Sequence, residues 1–333
     1  MSTIIQITKY PALVLMIGLT VLSCRKEDDM MDGPSLEDIY GPWFIVNDLQ
    51  ASKDSVNFST GEYVHFTAEF SKTVSWNLSI LGLSTGAEKI VEGTSKYIDA
   101  SQFLWNGSTT NLPMFKEEVC KVQLTFDTEV DTLTDTLVVT QPKVNNGLWS
   151  EDFENGWNGG WGSFIQTGAM MDFQVKTDGF AAESDGYLNM QGEVSWDWLI
   201  GLVNFNATAY GETHFPLTTN ADNVYFNALV YGESGFPNSL VLFQFDEDDN
   251  GNDSFDAASE DRFIHEVWVD WVGWRLISVK YSDLVDDGAN GNDIPEPDKL
   301  SVINMLHLAD PNSGLAKSKL DYLIFTTNGP FVP

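Results

Sequence analysis

The chain has 333 residues, enough for two domains of ordinary size, and carries 49 acidic side chains against 17 basic ones for a formal charge of −32. A field of that sign repels nucleic acid, anionic membrane surfaces and acidic polysaccharides, and leaves neutral glycans and divalent cations as compatible partners. Aromatic residues make up 13% of the chain, eleven of them Trp, which is more than two cores demand and points to rings exposed for binding.

The first segment is an address. A single positive charge, Lys9, precedes a short apolar run from Pro11 to Leu22, then Ser23 and Cys24, with charge following at once. The run is short for a membrane span and suits a signal peptide over 1–23 that is cleaved before Cys24. It resembles a bacterial lipoprotein signal. Arg25-Lys26-Glu27-Asp28-Asp29 resembles the acidic tag that Bacteroidota place after the lipidated cysteine for export. These resemblances imply lipidation of Cys24 and a place on the outer membrane facing the cell exterior. Without them, 25–29 is only a charged linker. Residues 24–40 have no apolar period and read as a flexible acidic tether. With Cys24 lipidated, Cys120 is left alone, and its neighbours Val119 and Val122 mark it as a buried small hydrophobe.

From 41 to 142 short alternating segments follow one another: Tyr63 to Ala68, Val74 to Leu81, Val119 to Phe126 and Thr136 to Thr140, separated by turn residues. This spacing predicts a β-sandwich. Trp76-Asn77-Leu78-Ser79-Ile80, Ser84-Thr85-Gly86-Ala87, Gly93 and Trp105-Asn106-Gly107 resemble the immunoglobulin-like repeat of flagellar-hook-type and polycystic-kidney-type surface domains, which implies a spacer.

Residues 143–148 form a polar, turn-prone linker, and a second domain occupies 149–333. It opens on Trp149 to Trp157, passes through Trp196-Asp197-Trp198-Leu199-Ile200-Gly201 and Gly273-Trp274-Arg275, and closes on Asp321-Tyr322-Leu323-Ile324-Phe325. This order resembles the galactose-binding-like jelly roll of carbohydrate-binding modules. The chain as a whole is therefore expected to be all-β, an immunoglobulin-like sandwich followed by a jelly roll.

Alternation along the strands nominates a binding face. Val224, Phe226, Ala228 and Val230 share the core parity, leaving Tyr225, Asn227, Leu229 and Tyr231 opposite; Phe263, His265, Val267 and Val269 leave Arg262, Ile264, Glu266 and Trp268; Gln244 follows the same logic. Flat rings beside planar hydrogen-bonding groups suit a pyranose, whose C–H face stacks while its hydroxyls bond to amide, carboxylate or guanidinium. Trp157 and Trp161 lie in a glycine-rich loop and are expected to present rings. Trp196 and Trp198 share a face by spacing, and of these two Trp pairs one can be packing and the other binding. Trp274 opens an apolar strand and is expected in the core.

Acidic loops raise the question of calcium. Asp246, Asp248 and Asn250 take the first, third and fifth positions of a calcium loop with Gly251 at the sixth, but Ala257 stands where an EF-hand needs its bidentate Glu. A looser calcium loop and a solvated hairpin tip both remain open. The jelly-roll resemblance implies a second, structural calcium held between the chain ends by Asp152 or Glu154 with Asp321. Catalytic motifs are lacking: the four histidines are scattered, and no zinc, nucleophile-elbow or phosphate-loop pattern occurs. The expectation is a non-catalytic surface lipoprotein that captures an extracellular polysaccharide, working beside a TonB-dependent importer and its lipoprotein partner. A surface adhesin or structural protein, and a polysaccharide hydrolase or lyase, are the competing classes.

Overall fold

The computed structural model describes residues 41–195, 199–288, 290–310 and 314–333. The signal peptide, Cys24, the tether and Trp196 thus lie outside the described residues. Among those described, secondary structure is strand with a few single 3₁₀ turns, and no helix is long and apolar enough to cross a membrane.

The first unit contains β1 (Ile45–Ala51), β2 (Ser55–Asn57), β3 (Phe66–Gly82), β4 (Glu88–Ile98), β5 (Glu118–Phe126) and β6 (Thr132–Gln141). They form a sheet in the order β1-β3-β5-β6-β2, with β4 also paired to β3. β1, at one end of that order, also contacts β6 near the other, so the sheet curls round its own core. The two strands expected on either side of residue 70 are one 17-residue strand, β3, whose pairing slips between Glu69 and Val74. That slip lets a single strand serve both ends of the curled sheet, because a bulge bends it without breaking it. Trp105 is fully buried between Phe58 and Phe115, at ring separations of 4.8 and 4.9 Å. Cys120 is buried as expected, and burial pushes its thiol up to about 12.

The second unit contains β7 (Trp149–Glu151), β8 (Gly162–Ile165), β9 (Met170–Lys176), β10 (Tyr187–Glu193), β11 (Leu199–Asn206), β12 (Val224–Gly232), β13 (Ser239–Glu247), β14 (Arg262–Val269), β15 (Gly273–Lys280), β16 (Val285–Asp286), β17 (Leu300–Ala309) and β18 (Leu315–Thr327). Two sheets face each other, β15-β12-β18-β10-β9 with β7 on β18, and β16-β14-β13-β17-β11-β8. This is the expected jelly-roll sandwich. Val224, Phe226, Ala228 and Val230 point between the sheets and are completely buried, as are Phe243 and Phe245 from the other side. Phe226 meets Phe243 and Phe245 at 4.9 and 5.0 Å in edge-to-face contacts that add to the burial itself.

Candidate functional site

The two sheets turn their outer faces in opposite directions, and those faces differ. Outside the β14-to-β8 sheet, register places side chains in rows that run across the strands. One row reads Glu266, Leu242, Leu306, Leu202, Phe164; the next reads Ile264, Gln244, Asn304, Asn204, Gly162. Above the first lie Trp268, Leu240, Leu308 and Leu199, and below the second lie Arg262, Asp246, Val302 and Asn206. Trp268 and Phe164 are 45% and 47% exposed, yet Leu240, Leu306 and Leu308 between them are under a tenth exposed and form an apolar cluster of their own outside the core. The face is thus an apolar floor with a ring at either side.

Its polar row is pre-arranged. Asn204 donates to Asn304 Oδ1, and Asn304 donates to Asp246 Oδ2 at 2.7 Å. Arg262 grips Asp246 with two bonds, 2.6 and 3.0 Å, and its guanidinium stacks 4.6 Å over Phe255. Trp268 Nε1 donates to Glu266 at 2.6 Å, which fixes the indole plane. The side chain of Gln244, half-buried in the middle of the row, has no protein hydrogen-bond partner among the described residues, so its amide is available to a ligand. At about 4.8 Å per strand the row from Glu266 to Phe164 spans about 19 Å, longer than one sugar ring.

Gln244, Arg262, Glu266 and Trp268 therefore share one face. Tyr225, Asn227 and Tyr231 do not join them, because β12 belongs to the opposite sheet. The outer face of that sheet is occupied. Asn227 is fully buried, donating to Tyr225 O, Ile324 O and Thr326 Oγ1 and accepting from Ser278 and from the Phe331 amide in the C-terminal tail. Tyr231 holds Lys319 Nζ 4.2 Å from its ring, and Tyr225 lies between Lys280 and Thr326. Trp274 is also on this outer face, beside Tyr231 at 5.3 Å, and not in the core where sequence put it. The alternation of β15 is offset by one from that expectation.

The glycine-rich loop divides its two rings. Trp157 is 39% exposed, whereas Trp161 is 6% exposed and packs on Phe205 and Phe153, with Nε1 donating to Tyr210. Trp161 is a core residue. Sequence reasoning missed Phe164, Asn204 and Asn304, although alternation along Leu202-Val203-Asn204-Phe205-Asn206 places Asn204 opposite the buried Val203 and Phe205.

Two groups of acids bear on a cation. Asp246, Asp248 and Asn250 are not brought together. Asp246 is spent on Arg262 and Asn304, and Asp248 accepts from the amides of Gly251, Asn252 and Asp253. Side chains alternate along β13, so Glu247 turns to the other side, where Glu247, Asp249 and Asp261 have oxygens within 4.8 Å of one another and could hold a metal ion. Protein groups already serve them: Tyr281 and the Glu296 amide on Glu247, the Asn292 and Asp293 amides on Asp261, and Lys299 at 3.3 Å from Asp249. Burial, then the charges of Asp249 and Asp261, push Glu247 up to about 8.

The second group is the one between the ends of the unit. The pairing of β7 with β18 stops at Glu151 and Leu323, and Glu154 and Asp321 are linked through one segment: Glu154 accepts from the Asp185 and Gly186 amides and Asp321 from those of Ala182 and Glu183. Asp321 is completely buried; Oδ2 accepts from the Ala182 and Glu183 amides at 2.7 and 2.9 Å, while Oδ1 has no partner. Glu183, absent from the sequence-based set, adds a second buried unpartnered oxygen, Oε2. Burial first, then Asp152 and Glu154, push Glu183 up to about 7, and burial and Glu183 raise Asp321 well above the carboxylate range. Phe153, Ser184 and Tyr322, each adjacent in sequence to one of these acids, hold left-handed backbone at φ 61°, 36° and 42°. Orphaned buried carboxylate oxygens are what a hard cation with oxygen ligands satisfies, and Asp321 and Glu183 each offer one.

No family model matches the chain, and no curated protein matches it. Among solved structures, it is similar to a carbohydrate-binding module of the β-sandwich superfamily at 13% identity, over 86% of this chain and 98% of that one, with a TM-score of 0.37. It is likewise similar to a family 11 carbohydrate-binding module of Clostridium thermocellum bound to a mixed-linked tetrasaccharide, at 14% identity over 52% and 92% and a TM-score of 0.37. A xylan-binding domain from Paenibacillus barcinonensis gives 16% over 57% and 99%, at 0.34. All three scores fall below 0.5, and the site stands on this chain's own residues.

Proposed function

We propose that this chain is a non-catalytic surface lipoprotein that binds an extracellular, neutral polysaccharide across the outer face of the β14-to-β8 sheet. The observation that carries the reading is the pair of rows just described: an apolar floor between Trp268 and Phe164, alongside a line of amides in which Gln244 is unspent. A chain of pyranoses offers the matching alternation of C–H faces and hydroxyls, and the length of the row suits several rings. Arg262 is the one cation in these rows and is already neutralised by Asp246, so the face has no free charge to draw a uronate against the field of the whole molecule. Lipidation at Cys24 would tether the protein to the outer membrane facing outward, where captured polysaccharide passes to a TonB-dependent importer and its lipoprotein partner.

Affinity electrophoresis in gels containing neutral β-glucans, xylans and mannans tests the binding. Trp268→Ala should weaken retention by about 2 kcal/mol, close to thirtyfold in affinity, with an unchanged melting temperature because the ring covers no cavity. Unchanged retention of the variant, or no retention of the wild type by any neutral glycan, sinks the reading. Release of reducing sugar from a retained glycan would instead make the protein a hydrolase.

Location is tested separately. Protease shaving of intact cells should remove the wild-type protein, Cys24→Ala should abolish lipidation, and alanine at Lys26, Glu27, Asp28 and Asp29 should leave the protein shielded inside. A wild-type protein that resists shaving overturns the surface assignment.

A further inference from the structure

The first unit sends one loop, residues 106–116, onto the second. Phe115 turns back into its own core, but Met114 is buried among Ala182, Leu229, Tyr322, Ile324 and Phe331 of the second unit. The backbone is tied as well: Met114 N donates to Ala182 O at 2.7 Å, Thr109 N to Pro333 O at 2.9 Å, and Lys143 Nζ to Val332 O at 2.6 Å. Lys116 meets Asp185 at 3.2 Å.

The segment receiving these contacts is the one that carries the orphaned carboxylate. On its inner side, residues 182–186 are gripped by Asp321 through the amides of Ala182 and Glu183, and by Glu154 through those of Asp185 and Gly186. On its outer side, Ala182 O and Asp185 hold the first unit. Gly186 approaches so closely that a Cβ there would stand 2.5 Å from Phe153 O, which leaves the segment no room to shift inward. Asp321 Oδ1 and Glu183 Oε2 have no protein partner in this buried site, so without a cation nothing fastens the Glu183 carboxyl there. With Glu183 unfastened, the 182–186 segment loosens, and Ala182 O, which accepts from Met114 N, loosens with it.

We propose that a divalent cation held by Asp321 and Glu183 fastens the two units together, so that cation binding sets the stiffness of the joint between them. The first unit is then a docked arm. Its Met114 loop sits on part of the outer face of β12 and β18, and the opposite face, with Trp268, is turned away from it. This inference is independent of what that face binds, since none of the joint residues lies in the rows of the proposed glycan site.

The test uses the full chain with calcium itself as the probe, against magnesium and chelator. Small-angle scattering should give one compact particle with calcium and a broader distribution with chelator, and proteolytic cleavage within 143–148 should rise about tenfold on chelation, as local opening becomes more populated. Glu183→Gln should lower calcium affinity at least about tenfold and open the joint at calcium levels that close the wild type, while leaving Glu247, Asp249 and Asp261 intact. Met114→Ser should open the joint while still binding calcium in titration calorimetry. Because Asp321→Asn can fail to fold, Glu183→Gln and Met114→Ser carry the decision. Scattering and linker cleavage that ignore calcium, or calcium binding unaffected by Glu183→Gln, overturn the proposal. Loss of glycan retention with the joint intact would count only against the binding face.

Discussion

Trp161→Ala is expected to destabilise the second unit by about 3–5 kcal/mol, the usual cost of emptying a buried aromatic site. The indole is 6% exposed and sits edge-to-face against Phe205 at 5.1 Å, Phe153 at 5.7 Å and Trp157 at 5.2 Å. Its Nε1 also anchors a chain of bonds: it donates to Tyr210 Oη, which donates to Glu151 Oε2, while Glu151 Oε1 accepts from the Phe153 amide. Truncation therefore removes a partner from a buried network as well as opening a cavity. Trp157→Ala, removing a ring 39% exposed, should leave stability nearly unchanged. Denaturant unfolding of the two variants decides it; equal, small losses in both would mean that Trp161 is a presented ring after all.

The misplacement of Trp161 shows which parts of this molecule its sequence makes legible. Glycine suggests a loop without neighbours, but Gly160 is there because the loop passes so close to the turn at Ala207–Tyr210 that a Cβ would lie 2.7 Å from Ala209. Sequence cannot distinguish a glycine that frees a loop from one that lets it pack. Strand parity, by contrast, is local: it correctly sent Val224, Phe226, Ala228 and Val230 inward, and it grouped Arg262, Glu266 and Trp268 on one face. Parity does not reveal which sheet a strand joins. Tyr225 and Trp268 have the same outward parity yet lie on opposite sides of the sandwich, because β12 pairs with β15 and β18 while β14 pairs with β13.

The acids follow the same division. The expectation for Asp246, Asp248 and Asn250 took the spacing of a loop, but β13 runs on through Glu247, so strand alternation governs there and turns Glu247 toward Asp249 and Asp261. Asp321 was within reach of a family pattern. Glu183 was not, because nothing local sets it apart from 48 other acids; it is distinguished by a buried oxygen without a partner, which only the fold creates.

His307 should make folding stability fall on mild acidification. Its ring is completely buried on β17, Nδ1 facing Ser318 Oγ at 3.4 Å and Nε2 without a partner, and burial lowers its pKa to about 4. An unfolded-chain histidine takes up its proton near pH 6.5, so between about pH 6.5 and about pH 4 the unfolded chain binds a proton that the folded one refuses. The native state therefore loses stability as pH falls through that window, by about 3 kcal/mol in total from this one residue. The buried carboxyls Glu247 and Asp321 have raised values and act with the opposite sign, gaining relative stability as pH falls. A wild-type profile alone mixes the two. The comparison that isolates the histidine is His307→Leu against wild type in denaturant unfolding at about pH 7.5 and about pH 4.5. The variant should escape most of the acid loss. Parallel pH profiles for the two proteins would show that the folded state takes up the His307 proton as readily as the unfolded chain does, which a ring sealed at 0% exposure forbids.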